Sequence, residues 1–180
     1  DGLELDCDGF ELAPRILINS AGLYAPGLAQ QVGDGYEGYF AKGHYYVLSG
    51  KSPFNRLIYP VAEPGGLGVH VTLDLAHQAK FGPDVVWIDQ LDYAFDTSNK
   101  DRFIQAIRRY YPGLDQSRLH PSYTGIRPKL TPAGSAVPDF VINGPSETGV
   151  PGLVDLLGIE SPGLTASMAI AERVVQILKV

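Results

Sequence analysis

The sequence predicts an α+β fold, with α/β pieces at the two ends and a mostly antiparallel sheet with flanking helices between them. Three observations carry this. First, Leu153 to Ile159 is an apolar run of strand length, followed by a Glu-Ser-Pro-Gly turn and a segment of helical period. Second, Arg15 to Asn19 (RILIN) is a short apolar strand followed by Ser20-Ala21-Gly22 and a helical stretch, so the same strand, turn and helix order occurs near both termini. Third, the middle holds β-branched and aromatic runs separated by Gly, Pro, Ser and Asn turns.

Taken in order, Leu3, Leu5 and Cys7 alternate with Glu4 and Asp6, and Asp8-Gly9 supplies a hairpin turn before Phe10 to Leu12. After RILIN, a helix runs from about Tyr24 to Val32 and ends at Gly33. Four strands follow: Lys42 to Leu48, Arg56 to Ala62, Gly68 to Asp74 and Pro83 to Asp89. Ser98 is the expected cap of a helix whose apolar face is Phe103, Ile104, Ile107 and Tyr111, with Pro112-Gly113 as the stop and Arg102, Arg108 and Arg109 on a solvated face. In the last helix Leu164, Met168, Ala171, Val175 and Leu178 recur at steps of three and four, and Ile170, Val174 and Ile177 add a second stripe. Both stripes are expected to be packed, with Ser161 as N-cap and Pro162 in the first turn. Unpaired N–H groups of that turn, with Gly163 and the small residues Thr165, Ala166 and Ser167, would let a planar or anionic group approach the strand tip.

Composition narrows the function classes. The 180 residues are 44% hydrophobic and 19% charged, as in an ordinary globular protein, with one sizeable core or a core and a small lobe. A net charge of −6 without a Lys/Arg cluster argues against nucleic acid. The single cysteine, Cys7, excludes an internal disulfide and a cysteine metal cluster and fits a reducing, cytoplasmic setting. No histidine pair has metal-ligand spacing on one element. No run reaches the roughly 18 apolar residues of a membrane span, although peripheral contact stays open. The N-terminus, DGLELDCDGFEL, lacks the pattern of a signal peptide and a methionine, and reads as the interior of a longer protein.

The segment GIESPGLTASMAIAE resembles the C-terminal flavin motif of the L-2-hydroxyglutarate dehydrogenase and oxidase family, within the D-amino-acid-oxidase-like FAD enzymes. NSAGLYAPGLA resembles the same family's second FAD-contacting motif, and GHYYVL, LIYPVAEPGGLGVHVTLD and FGPDVV match its strands, so the likeness covers nearly the whole chain. His44, where an acidic or amide residue is common, and Leu75 to Lys80, in place of a short Asp-Gly turn, depart from the pattern. The family's N-terminal Gly-Xaa-Gly-Xaa-Xaa-Gly turn, which carries the FAD pyrophosphate, is missing.

The resemblance implies FAD-domain parts at 1–34 and 121–180 and a substrate-binding domain at 35–120. It implies non-covalent FAD near Asn19, Ala21 and Gly22 and near Gly158, Ile159, Glu160, Ser161, Pro162, Gly163, Leu164 and Thr165. Without the pyrophosphate turn, this stretch alone is expected neither to retain FAD nor to turn over. The implied reaction is oxidation of a small 2-hydroxy acid such as L-2-hydroxyglutarate. Amine oxidation of the glycine, sarcosine or D-amino-acid type, or a non-catalytic binding role, is the alternative.

Hydride removal beside a carboxylate calls for a cation and a proton acceptor. Arg127, in TGIRPKL, is the cation: its guanidinium can pair with a carboxylate through two parallel hydrogen bonds, and the Gly-Xaa-Arg-Pro pattern resembles that of the carboxylate-binding arginine of glycine oxidase. A structural ion pair is the other use of such an arginine. His70, in GVHVT, is the base, at a position resembling the flavin-facing lysine of sarcosine-oxidase relatives; a plain sheet histidine is the alternative. His44 and Tyr46, which share a strand face with Leu48, and Tyr59 are candidate pocket residues for the hydroxyl or a distal carboxylate, or part of an aromatic sheet.

Overall fold

The structure is a computed structural model that describes residues 2–33, 35–61 and 68–179. It divides into two compact units, 1–39 with 128–180, and 40–127.

The first unit opens with the hairpin β1 (Leu5–Asp6) and β2 (Glu11–Leu12), paired antiparallel about Asp8 and Gly9, both at positive φ. Cys7 is exposed beside β1. β3 (Leu17–Asn19) leads through a 3₁₀ turn (Gly22–Tyr24) into α1 (Ala25–Gln31), and Gly33 at φ +96° ends the helix. β10 (Leu153–Leu157) is the central strand of a three-stranded sheet, parallel to β3 and antiparallel to β9 (Val141–Asn143), with the short α3 (Pro145–Thr148) between β9 and β10. Ala25, Ala29 and Leu157 form its buried core.

The closing helix α4 (Gly163–Leu178) differs from expectation in two ways. Pro162, not Ser161, is the N-cap, and no side chain caps the helix. The stripe that packs is the second one: Val174 is buried and Ile170 and Ile177 half-buried, while Leu164 and Met168 are 92% and 76% exposed. A helical period shows which residues share a face, but not which face meets a neighbour.

The second unit holds a five-stranded sheet. β4 (Tyr39–Leu48) pairs antiparallel with β6 (Ala79–Gly82) and β7 (Val86–Ile88), β5 (His70–Leu73) pairs with β6, and β8 (Leu119–Lys129) pairs with β4. Within Arg56 to Ala62 only Ile58 bridges, to Val71, and Ala62 lies outside the described residues. β6 and β8 were not foreseen: a four-residue strand after a turn at His77 (φ +58°), and a run rich in polar residues and prolines, give weak periodic signals. α2 (Lys100–Arg108) buries Phe103, Ile104 and Ile107 against Tyr46, Leu48 and Phe81, each buried side chain contributing about 1.5–3 kcal/mol. Ser98 does not cap it: Asn99 is the N-cap of the helix, without a side-chain hydrogen bond, and the Asp96 carboxylate accepts from the Ser98 N–H at 2.8 Å to cap the 3₁₀ turn (Thr97–Asn99) that precedes it. Arg102, Arg108 and Arg109 are exposed.

Gly82 shows how tightly this sheet is built. Its φ is +148°, and a Cβ there would lie 2.5 Å from the His44 carbonyl oxygen and 2.8 Å from the Tyr45 ring. Gly82→Ala is expected to cost about 3 kcal/mol or more, read as a lowered urea midpoint, because neither the backbone angle nor the carbonyl can relax cheaply.

Candidate active site

In the first unit the two strand tips expected from the sequence stand side by side. Leu153, Val154 and Asp155 of β10 pair with Leu17, Ile18 and Asn19 of β3. Asn19 ties them together: its amide donates to the buried Asp155 carboxylate at 2.7 Å and to the Ala25 carbonyl at 2.9 Å, and its oxygen accepts from the Ala21 N–H at 3.3 Å. Ala21 and Gly22 follow directly, Gly22 at φ +60° with open space where a Cβ would stand. A cavity of about 360 Å³ beside this tip is lined by Leu17, Asn19, Ala21, Leu28 and Asp155 among others. At the β10 tip, Gly158 at φ +66° packs on Leu130, and Lys129 pairs with Glu160, both mostly buried. Glycine backbone at the carboxyl ends of two neighbouring parallel strands is the setting in which α/β sheets hold ligands.

Asn19→Asp would set two carboxylates in contact. One of them would take a raised pKa, so the lost stability, about 3 kcal/mol, is expected to grow as pH rises toward neutrality and to shrink on acidification, as pH-dependent urea unfolding would show.

The glycine spacing of a phosphate turn does occur, at Gly33, Gly35 and Gly38. It follows α1 and leads into β4, the reverse of the strand-then-helix order such a turn needs, and Gly38 instead packs on Pro26.

In the second unit, register fixes the faces. His70 pairs with Gly82, and Phe81 with Tyr46, so His70, Gly82 and Tyr45 form one cross-strand row on one face. Tyr59 stacks on the His70 ring, with centroids 4.5 Å apart, and Tyr123 stacks on Tyr45 at 4.6 Å. Arg127, half-buried two positions beyond Gly125 on β8, reaches the Tyr45 hydroxyl as a hydrogen-bond donor. Burial, and then Tyr123, push the Tyr45 hydroxyl above its ordinary pKa while Arg127 opposes this, so Tyr45 stays protonated. Lys80 lies 5.6 Å from the Tyr123 ring centre.

His70 is 6% exposed. Its Nδ1 lies 3.3 Å from the Gly68 carbonyl, which can only accept, so Nδ1 carries the proton and Nε2 is left with the lone pair. Burial and the Arg127 charge hold its pKa below 6.5, against the opposing pull of the Gly68 carbonyl. The Tyr110 hydroxyl donates to the Val69 carbonyl at 2.9 Å and pins the strand just before His70.

His44 and Tyr46 are placed elsewhere. They lie on the other face of β4, turned toward α2: Tyr46 is fully buried and donates to Asn99 at 2.8 Å, and His44 is 2% exposed beside Asp84 and Phe95. Their shared face is the core face, which removes them from a pocket lining. Tyr45, with Tyr123 stacked on it, lies on the His70 side of the sheet instead; strand alternation from His70 across the sheet would have found Tyr45, but only with β6 known.

A family profile described as FAD dependent oxidoreductase, DAO, matches residues 2–177. The chain belongs to this family. It is 47% identical over 91% of its length to L-2-hydroxyglutarate dehydrogenase, mitochondrial, of Arabidopsis thaliana, of which it covers 38%. Among solved structures it resembles the L-alpha-glycerophosphate oxidase of Mycoplasma pneumoniae with FAD bound, with a TM-score of 0.74 at 26% identity, over 91% of this chain and 42% of that one. Glycine oxidase of Geobacillus kaustophilus, at 17% identity and a TM-score of 0.74 over 99% of this chain and 45% of that one, shares the fold. The chain thus spans less than half the length of these relatives. No helix among the described residues is long and apolar enough to cross a membrane.

Proposed function

We propose that the full-length protein is an FAD-dependent oxidoreductase acting on a short 2-hydroxy acid, with L-2-hydroxyglutarate as the first candidate. The observation that carries this is one sheet face on which Arg127, Tyr45 and His70 stand together: a carboxylate clamp beside a proton acceptor. In this reading Arg127 and the Tyr45 hydroxyl hold the carboxylate, fixing the α-carbon. His70 Nε2 takes the hydroxyl proton, and its lowered pKa keeps it unprotonated at neutral pH. Tyr59, stacked on His70, limits water at the base. Asn19, Ala21, Gly22 and the 158–165 tip are the residues that would hold the ring side of FAD, which when bound would supply the hydride acceptor. The name of the plant relative supports the 2-hydroxy acid, and the glycerophosphate oxidase supports an anionic alcohol more broadly.

Anaerobic mixing of the full-length holoprotein with L-2-hydroxyglutarate, glycerol 3-phosphate or glycine, followed by flavin absorbance, tests this. Fastest bleaching by the 2-hydroxy acid is expected; faster bleaching by the amine or the phosphate ester would reject the assignment.

A further inference from the structure

Opposite β4, the second unit's sheet carries one residue too many. Tyr46 pairs with Phe81 and Lys42 with Val86, so a step of four residues faces a step of five. This is a β-bulge over residues 82–85, a device that kinks a strand and re-aims side chains.

The bulge is held from the core side. Asp84 Oδ1 accepts from the His44 backbone N–H at 2.7 Å and lies 2.9 Å from His44 Nδ1, so Nδ1 carries the proton of that contact. Asp84 Oδ2 accepts from the Asn99 amide at 2.9 Å, and the Asn99 oxygen accepts from the Tyr46 hydroxyl at 2.8 Å. A Cβ on Gly43 would fall 2.6 Å from Pro83 Cβ, so the two backbones are in direct contact. Tyr45 lies between His44 and Tyr46, which are both tied into this network, and its ring rests over Gly82 on the other face. The peptide planes on either side of Tyr45 are therefore fixed by groups that never reach the site face.

We infer that His44 and Asp84 are a positioning pair: by locking the bulge they hold the Tyr45 ring over Gly82 and its hydroxyl at Arg127, and so tighten carboxylate binding without touching substrate. The inference rests on the proposed role of Arg127 and Tyr45.

The test uses the full-length holoprotein and steady-state kinetics with the 2-hydroxy acid. His44→Leu removes the Nδ1 donor and is expected to raise KM roughly tenfold with kcat within about twofold. His44→Asn sets an amide N–H where Nδ1 stood and is expected to recover most of that loss. Tyr45→Phe raises KM as well, and in its background His44→Leu adds little more, since the lock then has no hydroxyl to aim. This non-additivity is a readout that general destabilisation would not give. Independent, multiplying effects of the two changes, or an unaltered KM in His44→Leu, would overturn the inference. Arg127→Met measured alongside separates the two failures: an unchanged KM there overturns the site reading, whereas a raised KM with multiplying His44 and Tyr45 effects overturns the lock alone.

Discussion

Arg127→Met in the full-length protein is expected to raise KM for the 2-hydroxy acid by about 10²- to 10³-fold. Two charge-assisted hydrogen bonds to a carboxylate, at about 1.5 kcal/mol or more each, amount to at least about 3 kcal/mol, and 1.4 kcal/mol is tenfold. Arg127→Lys keeps the charge but not the fork, and should recover only part of the loss. The effect belongs mainly in KM because the carboxylate is bound in the ground state as well as in the transition state. Steady-state kinetics with a 2-hydroxy acid and with the matching alcohol lacking the carboxylate would check it: the variant should scarcely change the already poor rate with the alcohol.

The second large effect is at His70. His70→Phe should lower kcat by about 10²- to 10⁴-fold, the usual contribution of a positioned base, with a much smaller change in KM. The pH dependence carries a definite sign. With its folded pKa held below the ordinary imidazole value, His70 is mostly unprotonated at neutral pH, so the acid limb of kcat/KM should lie lower than an ordinary imidazole would give. Stability follows the same direction. Between the lowered folded pKa and the ordinary value the unfolded chain binds more protons, so His70 favours the folded state increasingly as pH rises through that window, and this contribution is absent at lower pH. In His70→Phe the acid limb assigned to this group should vanish from the residual rate. A pH profile with the limb intact would assign it to another residue.

Much of the architecture was legible because apolar period and turn residues report local structure directly. RILIN and Leu153–Leu157 read as strands from their length and flanking turns, and the structure pairs them in parallel, which places their tips together. The hairpin at Asp8-Gly9, the stop at Gly33 and the Phe103/Ile104/Ile107 face were likewise written into the chain. What sequence could not show was which neighbour each face meets. The α4 stripe headed by Leu164 and Met168 has as good a period as the one through Val174, yet only the latter is packed in the described residues.

The candidate site residues could be named one by one, but not their grouping. His70 and Arg127 are expected from the chemistry a carboxylate-bearing alcohol needs, and the structure brings the Arg127 charge near enough to act on His70. Tyr45 and Tyr46 look equivalent in the run HYYVL; one row of the sheet decides between them, and that row passes through Gly82, at the end of a strand too short to announce itself. The bulge that aims Tyr45 depends on a count of residues across two strands, which no local pattern encodes.

A crystal structure of the full-length holoprotein with a bound non-oxidisable dicarboxylate such as glutarate would test the central claim most directly. A carboxylate forked by Arg127, within hydrogen-bond distance of the Tyr45 hydroxyl and with His70 Nε2 facing the adjacent carbon, is the predicted result. A carboxylate seated elsewhere, with Arg127 engaged only by protein groups, would contradict it.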